Sequence, residues 1–266
     1  MGVAVIVFPI YLALIGSTHS AQEMAQSPIP LWFGHDALNN YRTILMGEGP
    51  GVTSQVPVSR MMWVSLVTAL SIAFGKIVIS LLSAFALVYF KFPFRKAVFW
   101  GIFVTLMLPV EVRIVPTYKV VADFGMINSF AGLTIPLIAS ATATFLFRQF
   151  FLTVPDELAE AAKMDGASPM RFFWDVLLPL SRTSIAALFV IQFIYGWNQY
   201  LWPLLMSTEE RMYPIVMGIR SMTAGADAQV QWNLVMATAM LAMLPPALVV
   251  VLMQKWFVKG LVDTEK

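Results

Sequence analysis

The strongest constraint in this sequence is a succession of apolar stretches, each near the length that crosses a membrane. A spanning helix rises 1.5 Å per residue, so roughly 20 mostly apolar residues cover the ~30 Å hydrocarbon core. Six stretches meet or approach that length: Gly2–Ser17, Met61–Phe90, Ala97–Val115, Phe130–Phe150, Thr183–Met206 and Leu234–Val258. Charged residues make up 12% of the 266 positions, against about a quarter in a soluble domain. With a mean hydropathy of +0.75, the chain cannot clothe itself in charge, and its main solvent is lipid. It is expected to be an all-α polytopic membrane protein of about six transmembrane helices, with residues 1–266 forming one transmembrane domain.

No Lys or Arg precedes the first stretch, whereas a signal peptide has a positive leading segment. It is therefore expected to be an uncleaved helix, with a few cytoplasmic residues missing before it. If six helices alternate, Lys91, Arg95, Lys96, Arg148, Lys163, Arg171, Arg182, Lys255, Lys259 and Lys266 fall on one side. The other side holds Arg42, Arg60, Arg211 and Arg220, diluted by Glu23, Asp36, Glu48, Glu209, Glu210 and Asp227. Cytoplasmic loops carry the Lys/Arg excess, so both termini are expected in the cytoplasm of a bacterial inner membrane. The segment from about Thr18 to Arg60 is then external, with a short surface helix expected over Asn39–Met46.

Several function classes are set aside by what is missing. There is no cysteine for a disulfide or thiolate metal site, and His19 and His35 lack the spacing of metal ligands. The net charge of +2 is small and its basic residues are scattered, unlike a nucleic-acid-binding stripe. No GxxxxGK[ST] phosphate loop is present, so any ATP that drives the protein is expected in another chain. A membrane enzyme would need a convergent acid–base or metal set. A stand-alone secondary transporter or channel would show inverted repeats and midplane carboxylates.

The most informative segment runs from about 153 to 182, between the fourth and fifth stretches. Pro155 suits a helix start, and Asp156 and Glu157 favour its positive dipole end. Gly166 can stop that helix in a left-handed turn; Ser168 and Pro169 then cap a second, which Pro179 ends. Ala159, Ala161 and Ala162 make a small-residue surface. Phe172, Phe173 and Trp174 are consecutive and cannot all face one way, so some are expected to reach a partner groove. The alternative is an amphipathic helix lying at the membrane interface.

The run Glu160-Ala161-Ala162, three residues, Gly166, nine residues, Val176, one residue, Leu178-Pro179 resembles the EAA signature of ABC importer permeases, with Val176 in place of the usual Ile. The likeness extends over nearly the whole chain to the MalG-type carbohydrate permeases, and within them to the glycerol-3-phosphate importers. It is carried by Thr105–Arg113, Ala139–Phe150, Phe193–Pro203 and Gly260–Asp263. The resemblance implies a type I importer permease fold (MetI/MalG-like) in which this segment docks in a cleft of an ATPase. Glu160, Ala161, Ala162, Asp165 and Gly166 would form the docking core, with Phe172, Phe173 and Pro179 as companions. It also implies a homologous permease as heterodimer partner, two copies of an ATP-binding subunit and a periplasmic binding protein. No cofactor is expected on this chain, ATP and Mg²⁺ belonging to the ATPase.

Ionisable groups inside spans are costly and mark functional sites. Lys76 lies near the middle of the second stretch; Glu111 and Arg113 follow Pro109, and with Pro116 they occupy an interrupted third stretch. Lys76 and Arg113 are candidate partners for a phosphate ester. A carboxylate of the partner permease could equally pair Lys76, and Glu111 or the outer interface could hold Arg113. Trp197, Asn198, Gln199 and Tyr200 combine amides and aromatics suited to a polyol, or to bonding between helices. A sugar or oligosaccharide substrate would leave the fold and coupling unchanged.

Overall fold

The computed structural model describes residues 2–26, 28–47, 56–105, 110–224 and 230–262; Glu48, Pro109, Asp227, Asp263 and Lys266 fall outside the described residues. In chain order the helices are α1 Gly2–Gly16, α2 Ala21–Met24, α3 Ala37–Met46, α4 Val58–Tyr89, α5 Arg95–Val104, α6 Val110–Asp123, α7 Phe130–Thr134, α8 Ala141–Thr153, α9 Asp156–Met164, α10 Pro169–Phe172, α11 Leu178–Leu180, α12 Arg182–Trp197, α13 Leu201–Met206, α14 Ile215–Thr223 and α15 Trp232–Val262. No strand occurs among the described residues, so the fold is all-α as expected.

The spans are less regular than six uninterrupted rods. By length and composition α4 and α15 each suffice alone, and two bent pairs bring the number to four. One pair joins Phe130–Leu137 to Ala141–Thr153 at 46°, the other Pro169–Leu180 to Arg182–Trp197 at 73°. Helix α1, at 15 residues, is about 22 Å long. Two expected spans need correction. The fourth, Phe130–Phe150, is bent by 46° where it leaves Leu137 and resumes at Ala141, while residues 106–109 of the third, between α5 and α6, lie outside the described residues. The fifth, Thr183–Met206, breaks after Trp197 and resumes at Leu201. The physical reason is Pro203, whose ring would collide with the Gln199 carbonyl if the helix continued. The expected short helix is present as α3, starting two residues before Asn39.

The chain divides into two compact units. One comprises Met1–Thr68, Ile127–Phe130 and Trp197–Val249; the other Ala69–Met126, Ala131–Gly196 and Val250–Lys266. In the first, Ile15, Ile44, Met61, Val64, Met206, Ile215 and Leu234 are buried. Gly16 and Gly218 let backbone lie against Met236 and Met61, since a Cβ at either would strike a methionine sulfur. Ser65 Oγ accepts the Ile215 N–H at 2.8 Å, satisfying a donor of the first turn of α14.

Within this unit Trp197 solves a backbone problem. Pro246 lies inside α15 and has no N–H, so the Ala242 carbonyl four residues earlier loses its helical donor. The buried Trp197 indole Nε1–H donates to that carbonyl at 3.1 Å. Its candidate role along the substrate path is thus replaced by closing the gap that a proline leaves in a helix.

The segment after α1 is held by a small polar clasp. Thr18 Oγ1 accepts the Gly34 N–H at 2.8 Å, and Asn40 Nδ2 donates to the carbonyls of Ser17 and His19 at 2.9 and 2.7 Å. His19 sits between two acceptors, Glu23 Oε2 at 3.0 Å from Nδ1 and the Trp32 carbonyl at 2.8 Å from Nε2. Burial disfavours the imidazolium, but the Trp32 carbonyl and Glu23 outweigh it and raise His19 above its ordinary 6.5. Glu23 is held below its ordinary value by the Ser20 N–H and then by His19.

The signs give opposite flanks to the clasp's stability. The His19 contribution is complete below about 6.5, the unfolded value, and disappears as pH rises through the raised folded value. The Glu23 contribution is complete above about 4.5 and disappears as pH falls through the lowered folded value. Hydrogen-exchange protection of the Gly34 amide, corrected for intrinsic exchange, is expected to peak between those values and fall on the alkaline side. His19→Gln should flatten the alkaline fall; an unchanged profile in that variant would show that His19 does not hold the segment. Separately, Trp197→Phe should lower stability by about 1–3 kcal/mol, the cost of an orphaned buried carbonyl, read from the thermal unfolding midpoint.

Candidate coupling site and substrate path

The 153–182 segment lies wholly within the second unit, and its local chemistry explains its shape. Val154 leaves α8 extended, and Pro155 (φ −57°) precedes α9, whose first turn carries Asp156 and Glu157 and whose last turn carries Lys163. These charges oppose the helix dipole at each end. Gly166, at φ +72°, then donates its N–H to the Lys163 carbonyl at 3.0 Å, while the Ala167 N–H reaches Ala162 O at 2.8 Å. That pair of bonds is a Schellman stop, which needs a left-handed residue at this position. Ser168 Oγ accepts the Arg171 N–H at 3.2 Å and Pro169 opens the next turn, as expected.

The aromatics behave differently from the expectation. Phe172 and Phe173 are buried in the chain's own core, not turned toward a partner. The Phe173 ring lies 5.0 Å from Phe85, and the Phe172 ring 5.3 Å from Tyr89, centroid to centroid. Around them close Leu81, Phe147, Phe151, Leu177 and Leu188, with Ala159 and Ala162 packed against the same cluster. Burying two rings outweighs displaying them, because each aromatic removes 150–250 Å² from solvent. The two phenylalanines therefore anchor the segment and do not form its docking surface. Of the three aromatics Trp174 is the one turned outward, 58% exposed.

With Ala159 and Ala162 facing inward, Glu160, Ala161, Asp165 and Gly166 are left exposed. Beside them Leu158 and Met164 are also exposed, Met164 at 83%. Leu158, Ala161 and Met164 follow one another at three-residue spacing and share a face of α9. That periodic exposed stripe was present in the sequence and lies beside the motif residues.

Pro179 does not end the second helix but lies within α11. Lacking an N–H, it would disrupt regular α-helical bonding to the residue four before it. The preceding residues 173–177 widen into a π turn, in which Leu178 N–H reaches back to Phe173 O. Ser181 then closes the end, its N–H and Oγ both donating to Leu177 O at 2.9 and 2.6 Å. The 73° bend into α12 follows.

The substrate-path candidates separate into distinct surroundings. Lys76 is buried; its Nζ donates to Gln192 Oε1 at 2.9 Å and lies 3.8 Å from the centroid of the Tyr195 ring. No carboxylate among the described residues pairs with it. Arg113 is exposed on α6; Glu111 lies two residues before it on the same helix, its side chain outside the described part of the structure. Asn198, Gln199 and Tyr200 occupy the non-helical link between α12 and α13, Asn198 exposed and the other two half-buried. No group of three or more His, Cys, Asp or Glu residues that could hold a metal ion occurs among the described residues.

Residues 76–263 match the model of the binding-protein-dependent transport system inner membrane component family. The chain belongs to this family. The match begins at Lys76 and includes the whole coupling segment. Over its full length the chain is 58% identical to the sn-glycerol-3-phosphate transport system permease protein UgpE of Brucella melitensis biotype 1, covering 94% of that protein. It is 59% identical to the UgpE of Rhizobium meliloti and 57% to that of Pectobacterium atrosepticum, at the same coverage. Among solved structures it superposes on a bacterial ABC transporter involved in import of the acidic polysaccharide alginate, with a TM-score of 0.78 and 20% identity. That likeness covers 96% of this chain and 92% of the other and establishes the ABC importer permease fold.

The Phe172–Phe173 pair anchors the segment that carries the exposed α9 surface to α4 and α8. Phe173→Ala should cost about 3–5 kcal/mol of stability, as a buried aromatic truncation does. It should also lower transport per ATP hydrolysed in the assembled transporter. Trp174→Ala, exposed, should leave the unfolding midpoint within a degree or two. Equal destabilisation by the two variants would contradict the assignment of inner and outer aromatics.

Proposed function

We propose that this permease carries sn-glycerol 3-phosphate across the bacterial inner membrane, driven by ATP that binds elsewhere. The full-length likeness to UgpE proteins, 56–59% over the whole chain, is the observation that carries the substrate. The working assembly has one homologous permease as heterodimer partner, two copies of an ATP-binding subunit and a periplasmic binding protein that delivers substrate. ATP and Mg²⁺ sit in the ATPase, and this chain holds no cofactor. Both termini and the 153–182 segment face the cytoplasm, where Lys91, Arg95, Lys96, Arg148, Lys163, Arg171 and Arg182 cluster by sequence.

Coupling runs through α9. Its exposed Glu160, Ala161, Asp165 and Gly166, flanked by Leu158 and Met164, enter a cleft of the ATPase as a helix enters a groove. When the ATPase dimer closes, the segment moves as a lever, because Phe172 and Phe173 tie it to Phe85, Tyr89 and Phe151 in α4 and α8. Helices α8 and α12 follow, and the cavity exchanges its inward opening for an outward one. A phosphate ester on this route profits from the cations Arg113 and Lys76. The amides Asn198 and Gln199, in the non-helical link between α12 and α13, suit its hydroxyls.

The deciding measurement is ATPase activity of the reconstituted complex with its binding protein. Stimulation is expected with glycerol 3-phosphate and not with maltose or trehalose; stimulation by a sugar alone would overturn the substrate. Glu160→Lys and Gly166→Val are expected to reduce uptake at least tenfold while membrane insertion persists. Normal uptake by both would remove α9 from the coupling route.

A further inference from the structure

Lys76 is the one buried cation among the described residues, and its surroundings are incomplete in a specific way. It lies near the middle of the 32-residue helix α4, far from either end, so its side chain cannot reach water by stretching along the helix. A charge at that depth demands compensation. What it receives is one amide oxygen, Gln192 Oε1 at 2.9 Å, and one aromatic face, Tyr195 with its centroid at 3.8 Å. Both partners come from α12, three residues apart on one face. An amide oxygen and a ring quadrupole attract a cation without neutralising it. An ammonium has three N–H donors, and no carboxylate among the described residues takes any of them.

The three side chains differ in how firmly they are placed. Gln192 is buried with Lys76, whereas Tyr195 is 39% exposed. The ring is therefore a cover with one face on the ammonium and an edge toward the surroundings. Tyr195 is also followed by Gly196, whose Cα would carry a Cβ only 2.8 Å from Ala69 Cα, and then by the end of α12 at Trp197. Here α12 and α4 approach as closely as backbones can, so a small shift between these two helices changes the space around Lys76 directly.

We propose that Lys76 is the phosphate-recognising cation of the translocation path, with Gln192 aiming its ammonium and the Tyr195 ring covering it until an anion displaces the ring. This rests on the proposed glycerol 3-phosphate substrate and adds its recognition element. A phosphate monoester supplies what the amide and ring lack, a full negative charge with several acceptor oxygens. A neutral sugar supplies none. Gln192 is a positioning residue; Lys76 is the group that touches substrate.

The test is uptake by the complete transporter in proteoliposomes, with saturating loaded binding protein, comparing glycerol 3-phosphate with glycerophosphocholine. The first carries a monoester dianion, the second a diester whose single negative charge is offset by its choline cation. Lys76→Met keeps most of the side-chain volume and removes the buried charge, at the cost of the donor to Gln192 Oε1. Assembly is checked by co-purification with the ATPase. Glycerol 3-phosphate uptake is expected to fall at least tenfold in Lys76→Met and glycerophosphocholine uptake by about threefold or less. Lys76→Arg should restore most of the loss, and Gln192→Leu should fall between the wild type and Lys76→Met. Equal losses for both substrates, or wild-type uptake in Lys76→Met, would overturn the role of Lys76 while leaving the substrate intact. Failure of the wild-type complex to take up glycerol 3-phosphate would overturn the substrate itself, and this inference with it.

Discussion

Every break in these helices has to be closed from within the protein, because hydrocarbon offers no hydrogen bonds to an abandoned carbonyl or amide. That requirement organises the structure. The carbonyl of Ala242, stripped of its donor by Pro246, is met by the Trp197 indole. Pro179 is accommodated by a π turn and Ser181. The start of α8 is capped by Ser140, whose Oγ accepts the Ala143 N–H at 3.3 Å. The breaks are also where the helices bend, by 46° before α8 and 73° before α12. A type I permease needs such bends, since straight rods could not both cross the membrane and present a transverse segment to an ATPase.

The coupling segment shows how an exposed helix can transmit force. Surface helices held by a few contacts would flex when pushed. Here α9 is joined by a Schellman stop and a capped turn to two phenylalanines inserted among Phe85, Tyr89, Phe147 and Phe151. Dense aromatic packing is nearly incompressible, which suits the proposed role of the segment in carrying displacement from the surface into α4 and α8. The sequence motif names the contact residues, while the anchor that makes them useful lies outside it.

Much of the fold was legible in advance because lipid imposes length. The first, second and sixth stretches fall within three or four residues of α1, α4 and α15 at each end, and the stop at Gly166 and cap at Ser168 follow from local rules. What hydropathy could not register was interruption. The fourth and fifth stretches read as continuous spans, but Phe130–Leu137 and Ala141–Thr153 meet at 46° and α12 ends at Trp197. A window average treats Pro203 as one more apolar residue, whereas the backbone treats it as a missing donor and a steric block. In the site, the docking residues Glu160 and Ala161 were readable from spacing, but the direction of Phe172 and Phe173 was not.

The sequence by itself determined the solvent, the class of fold, the family and the position of the coupling segment. All four follow from properties carried along one dimension: hydropathy, charge asymmetry and a spaced motif. Tertiary structure decided which side of each helix is used. It turned two aromatics inward and left Trp174 outside, gave Trp197 to an orphaned carbonyl, and set Lys76 against Gln192 and Tyr195, more than a hundred residues away in the chain. Such pairings depend on how α4 and α12 pack, and side-chain burial is settled by competition among all neighbours at once, which no local stretch of sequence records.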